Sequence, residues 1–128
     1  MEQFRLMMRG INKSYGNAAA LQEVDFSVRP GEVHALIGEN GAGKSTLLNI
    51  LSGVRGADSG EISVNGNRVQ IRSPLSARQA GIAMIHQELQ HVPELSVAQN
   101  MFLGRPLTRA GGWWVDKKAQ LARATLIL

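Results

Sequence analysis

The sequence predicts an α/β fold: an antiparallel β portion, a phosphate-loop core that the chain carries only in part, and the start of a helical subdomain. Three observations predict it. An apolar run from Val33 to Ile37, a glycine loop and a helical stretch from Thr46 to Ser52 follow one another in that order. Apolar residues alternate outside that unit, at Phe4, Leu6 and Met8, at Val24, Phe26 and Val28, and again at Ile62, Val64, Val69 and Ile71, which reads as half-buried strands. A second short apolar run, Ile82 to Ile85, ends in His86, Gln87 and Glu88, and polar residues at a strand's carboxyl end are where an α/β sheet places its ligand contacts.

The glycine loop carries the pattern G-x-x-x-x-G-K-[ST] as Gly38, Gly43, Lys44 and Ser45, with Thr46 following. A polyphosphate needs several N–H donors converging on it. A loop supplies them only where its backbone comes close and takes conformations that a Cβ hinders, which suits Gly38, Gly41 and Gly43, with Glu39, Asn40 and Ala42 completing the turn. The helix that opens at Ser45 adds N–H groups and the positive end of its dipole. Lys44 can reach β- and γ-phosphates as a mobile point charge, and the Ser45 hydroxyl is placed to ligate Mg²⁺. The plain alternative is a glycine turn between a strand and a helix.

With 128 residues the chain suits one domain. Its net charge of +4 is mildly basic, but Arg5, Arg29, Arg55 and Arg72 are scattered rather than clustered, and with 5% aromatic residues there is little material for stacking bases, so nucleic acid is not the expected partner. No cysteine is present, which excludes disulfides and thiolate metal sites. The stretch MEQFRLMMRG has acid and base inside its short apolar segment and does not read as a signal peptide. No run approaches the roughly 18 apolar residues of a membrane span. A soluble cytoplasmic protein is expected.

Along the chain, Lys13-Ser14-Tyr15-Gly16-Asn17 reads as a turn, and Tyr15 sits where a loop can bring a ring to a purine face or simply pack. Asn12-Lys13 resembles a base-reading Asn-Lys-x-Asp only superficially, since Tyr15 stands where Asp is needed. Gly53 is a left-handed cap for the phosphate-loop helix. Around Asn65-Gly66-Asn67 the favoured register makes Gly66 and Asn67 the loop, facing Val64 with Val69 and Ile62 with Ile71. Ser73-Pro74 starts a short helix closing at Gly81, Ser96 caps another through Met101 and Phe102, and Asp116 caps a terminal one, Lys117 to Leu128. Gln87 is either functional or the start of a loop. Trp113-Trp114 either anchors its Gly- and Arg-rich loop or meets a partner.

A phosphate-loop hydrolase also needs a strand ending in Asp and a group that orients water. After Lys44 no run of four apolar residues ends in Asp. Trp113-Trp114-Val115-Asp116 imitates one, but it leads into Lys117-Lys118, so Asp116 is the helix cap.

Together these residues resemble the ATP-binding subunits of ABC transporters, and among them the bacterial simple-sugar importers of the ribose, galactose and xylose type. The resemblance covers essentially the whole chain. It rests on Lys13-Ser14-Tyr15-Gly16 as an adenine-stacking loop, GENGAGKST as Walker A, Asp58-Ser59-Gly60-Glu61-Ile62, Ile85-His86-Gln87-Glu88 as the glutamine loop, and Pro93 to Asn100 as PELSVAQN. The sugar-importer assignment leans on His86-Gln87-Glu88, PELSVAQN and Phe102-Leu103-Gly104-Arg105.

The resemblance implies a P-loop NTPase fold of ABC ATPase type, with residues 1–37 and 60–72 as the β portion, 33–59 as the Walker A loop and helix, 73–90 as a core strand and the glutamine loop, and 91–128 as the entry to the helical subdomain. It implies that Tyr15 stacks on adenine, that Lys44 and Gln87 are catalytic, that Thr46 bonds the α-phosphate, and that Ser45 and Gln87 meet Mg²⁺. The family's signature, Walker B Asp, catalytic Glu and switch His are not matched here; Leu51-Ser52-Gly53, His86 and Glu88 do not replace them. The expectation is the amino-terminal part of a first nucleotide-binding domain, peripheral at the cytoplasmic face of a bacterial inner membrane. Its implied partners are permease subunits, a second nucleotide-binding domain and, indirectly, a periplasmic sugar-binding protein. The parent would hydrolyse ATP and the 128 residues alone almost none. The alternatives are a non-catalytic nucleotide- or partner-binding module and an ATPase of a non-transport ABC protein.

Overall fold

The computed structural model describes residues 4–85 and 91–127, in two compact units divided between Ile85 and His86. In the first unit a four-stranded antiparallel sheet runs in the order β2-β1-β3-β4, with β1 Leu6–Tyr15, β2 Ala18–Val28, β3 Ser59–Val64 and β4 Asn67–Val69. Helix α1, Lys44–Leu51, lies on one face of this sheet, and the short helix α2, Pro74–Gln79, follows β4. The second unit holds α3 Val97–Met101, a two-stranded ribbon of β5 Thr108–Arg109 and β6 Trp114–Val115, and α4 Lys117–Ile127.

Alternation builds the sheet, and one irregularity aims it. Met8 and Ile11 are both fully buried although three residues apart, because the ladder shifts between them and Gly10 takes φ +56°. Asn12 holds the bulge: its amide nitrogen donates to Gly10 O at 3.0 Å, Glu23 Oε1 at 2.8 Å and Ser59 Oγ at 3.0 Å, while its oxygen accepts from the Glu23 N–H at 2.9 Å. The residue that only superficially resembled a base reader is thus a clamp across three strands. The core that results joins Met8, Ile11, Leu21 and Ile62 of the sheet to Leu47 and Ile50 of α1. Those two positions, one helical turn apart, carry the buried stripe of α1, and burying each contributes about 1.5–3 kcal/mol.

Four expectations are corrected. The β1–β2 turn is shorter than Lys13 to Asn17: Tyr15 pairs with Ala18, leaving Gly16 and Asn17 as the loop, so Lys13, Ser14 and Tyr15 belong to the strand. The second hairpin turns at Asn65-Gly66 rather than Gly66-Asn67, pairing Val64 with Asn67 and Ile62 with Val69. A two-residue turn of this kind needs positive φ at both positions, and Asn65 (φ +53°) and Gly66 (φ +76°) supply it. Val33 to Ile37 and Ile82 to Ile85 are not buried strands. Both carry no ladder, and Val33, Ile37 and Ile85 are 99%, 91% and 95% exposed. A parallel interior strand takes its hydrogen bonds and its burial from neighbours on each side, and no strand among the described residues stands there. The segment Ile82 to Ile85 instead borders a groove of about 250 Å³ beside Leu48 and Leu51 of α1. Finally, Trp113 and Trp114 do not anchor their loop; they are 87% and 74% exposed.

The helix ends follow expectation. Ser73 and Ser96 each accept from the backbone N–H three residues on, with Ser76 and Gln99 closing capping boxes, and Asp116 accepts from the Ala119 N–H at 3.0 Å. Gly53 (φ +76°) ends α1 with its α-carbon so close to the Ser73 carbonyl that a Cβ would meet that oxygen at 2.3 Å. Asn100 of α3 ties down the stretch before it, donating to the carbonyls of Val92 and Leu95 at 3.0 Å and accepting from the Val92 N–H at 2.7 Å.

Candidate functional site

The phosphate loop runs from Gly38 to Gly43 and opens directly into α1, which begins at Lys44, one residue earlier than expected. Its N-cap, Gly43, stands in the left-handed region at φ +86° and offers no side chain to the helix. The first bond of the helix runs from Leu47 N to Gly43 O at 2.9 Å, so the N–H groups of Lys44, Ser45 and Thr46 have no partner within the helix. Ser45 is exposed, and Lys44 and Thr46 are half-buried.

Gly43 must be glycine for a second reason. A Cβ there would come to 2.7 Å from both Ala20 O and Leu21 Cδ2, a separation that side chains do not tolerate, so the loop seats directly on β2. Ala20 lies two residues past Ala18, the partner of Tyr15 across the hairpin. The same contact therefore sets the phosphate loop beside the hairpin that carries Tyr15. That ring is 46% exposed, with Lys13 Nζ 5.7 Å from its centroid.

Lys44 folds back over the loop. Its ammonium donates to Gly38 O and Glu39 O, both at 2.6 Å, and a Cβ at Gly38 would lie 3.7 Å from Lys44 Cδ. An ammonium has three N–H donors, so two carbonyls hold the charge against the loop and leave donor capacity for an anion. Bare helix N–H groups, a positive φ that brings backbone close, and a tethered cation are the donor set that a chain of phosphates needs. A magnesium triphosphate fits this set, with the exposed Ser45 hydroxyl as the oxygen available to the metal. Among the described residues no cluster of His, Asp or Glu offers a competing metal site.

Asp58, which the sequence marks only as the head of the DSGEI segment, holds the strand that carries Tyr15. Asp58 takes Lys13 Nζ at 2.6 Å on one carboxylate oxygen and the Ser14 N–H at 2.7 Å on the other, clamping the strand just before the tyrosine. The Lys13 hydrogen bond first, and the Ser14 N–H second, hold the Asp58 carboxyl below the usual carboxylate range. The clamp joins residues 45 apart, so only the place of Asp58 at the head of the DSGEI segment could have marked it. Upstream of the loop, Glu32 accepts from the Arg29 N–H at 2.6 Å and meets His34 Nδ1 at 3.1 Å, while the His34 ring stands edge-on to Phe26 at 5.0 Å.

The remaining expectations divide cleanly. Gly38 to Thr46 come together as one surface, and the loop's seat on β2 sets Tyr15's hairpin alongside. Gln87, with His86 and Glu88, lies outside the described residues. Asp116 does not end a core strand: it caps α4 and pairs with Arg109, whose hydrogen bond first and the Ala119 N–H second hold its carboxyl low.

Known proteins resemble this chain over most of its length. The chain is 55% identical over 107 residues to a ribose import ATP-binding protein of Chromobacterium violaceum, an alignment covering 84% of this chain and 21% of the relative. It is 51% identical over 104 residues to a ribose import ATP-binding protein of Bacillus subtilis, covering 81% and 21%, and 55% identical over 123 residues to an arabinose import ATP-binding protein of Rhizobium meliloti, covering 96% and 23%. The chain thus spans between a fifth and a quarter of the length of these curated relatives. Among solved structures it resembles MJ1267, an ATP-binding cassette of an ABC transporter, with TM-score 0.79 and 30% identity over 100% of this chain and 53% of that one. A second structure, of MJ1267 in its ADP conformation, gives TM-score 0.73 and 29% identity over 94% and 45%. The ABC transporter profile matches residues 21–127, and the chain belongs to that family.

Proposed function

We propose that this chain binds magnesium ATP at the loop Gly38 to Thr46, as the nucleotide-binding part of an importer that takes up a simple sugar. The observation that carries the proposal is the Lys44 ammonium held over the loop by the Gly38 and Glu39 carbonyls, beside three helix N–H groups with no partner in the helix. Lys44 is assigned to the β- and γ-phosphates and Thr46 to the α-phosphate, while Gly38, Glu39, Asn40, Gly41, Ala42 and Gly43 line the triphosphate. Tyr15 is assigned to the adenine face, held in place through Asp58. Ser45, with Gln87, is assigned to Mg²⁺, which when bound draws charge from the phosphate oxygens.

The substrate class rests on relatives that are ribose and arabinose import ATP-binding proteins. On that basis the whole protein would hydrolyse ATP at the inner face of a membrane, pair with a second nucleotide-binding domain and drive permease subunits. No helix among the described residues is long and apolar enough to cross a membrane by itself. After Lys44 the sequence holds no apolar run that ends in an Asp free to serve a hydrolase, and on that basis the chain alone is expected to bind ATP without turning it over.

Calorimetric titration with ATP, with and without Mg²⁺, tests the proposal. Binding that strengthens with Mg²⁺, loses that dependence in Ser45→Ala and collapses in Lys44→Ala is the expected result. Equal affinity in wild type and Lys44→Ala would refute the site. ATP turnover by the chain alone, abolished by Lys44→Ala, would refute the division between binding and catalysis.

A further inference from the structure

The ribbon of the second unit is built in a way that its own stability does not require. Thr108 pairs with Val115 and Arg109 with Trp114, and the ribbon is closed by the Asp116 N–H donating to Leu107 O at 2.7 Å and by the Arg109–Asp116 pair. These bonds hold a turn at Ala110–Gly112, with Gly111 at φ +70° and Gly112 at φ +102°, and the turn delivers two adjacent indoles to its outer end. Trp113 and Trp114 are 87% and 74% exposed, and Val115 beside them is 52% exposed. An indole this open, twice over, costs solvation that a structural residue would avoid.

The charges around it are one-sided. Between Leu103 and Ile127 there are five cations, Arg105, Arg109, Lys117, Lys118 and Arg123, and one acid, Asp116. That acid is already paired with Arg109. Lys117 and Lys118 occupy the first turn of α4, where the helix dipole is positive and disfavours cations, and both are exposed. Helix stability would not choose two lysines there. An anionic surface facing them would.

From the exposed indoles and this charge pattern we infer that the ribbon Thr108–Val115 and the first turn of α4 form a lipid-contact surface, the indoles entering the headgroup layer of an anionic membrane and Lys117 and Lys118 meeting its phosphates. Indole suits the headgroup layer because its body is apolar and its N–H is polar. Each cation at an anionic leaflet raises partitioning roughly fivefold. The inference stands on the second unit alone and does not depend on nucleotide binding.

The chain holds two tryptophans, and both are here, so intrinsic fluorescence reads this surface alone. The experiment adds vesicles of phosphatidylcholine, or of phosphatidylcholine with phosphatidylglycerol, to the intact chain and follows emission and co-sedimentation. The expected result is a blue shift and pelleting with the anionic vesicles, weakened by salt, and about tenfold or more weaker partitioning to neutral vesicles. Lys117→Glu with Lys118→Glu keeps the fluorophores and should reduce anionic binding by about tenfold or more, and Trp113→Ser with Trp114→Ser should abolish pelleting while ATP affinity is unchanged. Equal binding to neutral and anionic vesicles, or pelleting that survives loss of both tryptophans, would overturn the inference. So would no shift with either lipid, which would leave a protein as the occupant of this surface.

Discussion

The amino ends of the helices divide this molecule into two kinds of construction. At α2, α3 and α4 a side chain closes the helix, through Ser73, Ser96 and Asp116. At α1 a left-handed glycine stands in that place and gives nothing. The capped ends are finished by their own side chains: Ser73, Ser96 and Asp116 accept from the N–H groups of Ser76, Gln99 and Ala119. The end of α1 is left open beside a cation, and the hydrogen bonds missing there are the ones a phosphate chain supplies. Protein stability explains the first kind. Ligand chemistry explains the second.

The sharpest way to break this comparison is Gly43→Ala. The added methyl would sit 2.7 Å from Ala20 O at a positive φ, so a loss of about 1–3 kcal/mol or more in folding stability is expected together with the loss of ATP binding, measured by urea unfolding and calorimetry. Lys44→Ala should separate the two effects: affinity for ATP falls roughly ten- to hundredfold, the value of a charge-assisted bond, while the unfolding midpoint hardly moves. At a finished end the pattern inverts. Ser73→Ala should cost about 1 kcal/mol of stability through the lost cap and leave ATP affinity unchanged.

The smallest effect expected is on pH dependence. Asp116 and Asp58 have carboxyls held low by their partners, so their contributions are complete above the ordinary carboxylate range and are lost as pH falls through the lowered values. Asp58 is exposed and Asp116 is half-buried at the surface, so solvent screens both pairs and the acid limb they add is shallow. Asp58→Asn and Asp116→Asn should each flatten it, while Ser73→Ala, whose cap does not titrate, should leave its slope alone. A Ser73→Ala variant with an altered acid limb would contradict the distinction between charged and neutral caps.

What could be read in the sequence was whatever neighbours decide. Gly38, Gly43, Lys44 and Ser45 announce the loop because its chemistry needs those residue types at that spacing within eight positions. The caps at Ser73 and Ser96 are equally local. The hairpin register is not legible in the sequence because the two alternatives differ by two residues and so keep Ile62 and Val64 on the same face; only the positive φ that Asn65 and Gly66 adopt decides between them. The role of Asp58 was hidden by its 45-residue distance from Lys13, and the bulge at Gly10 by the contact it makes with strands that follow. Val33 to Ile37 has the composition of an interior strand, but burial belongs to neighbours and not to the segment itself.

The most direct test follows backbone amides by two-dimensional NMR as magnesium ATP is added. The account predicts that the amides of Gly41, Gly43, Lys44, Ser45 and Thr46 shift together while those of Ser76, Gln99 and Ala119, each bonded to its cap, stay where they are. An unmoved set at the start of α1, or equal movement at the capped ends, would contradict it.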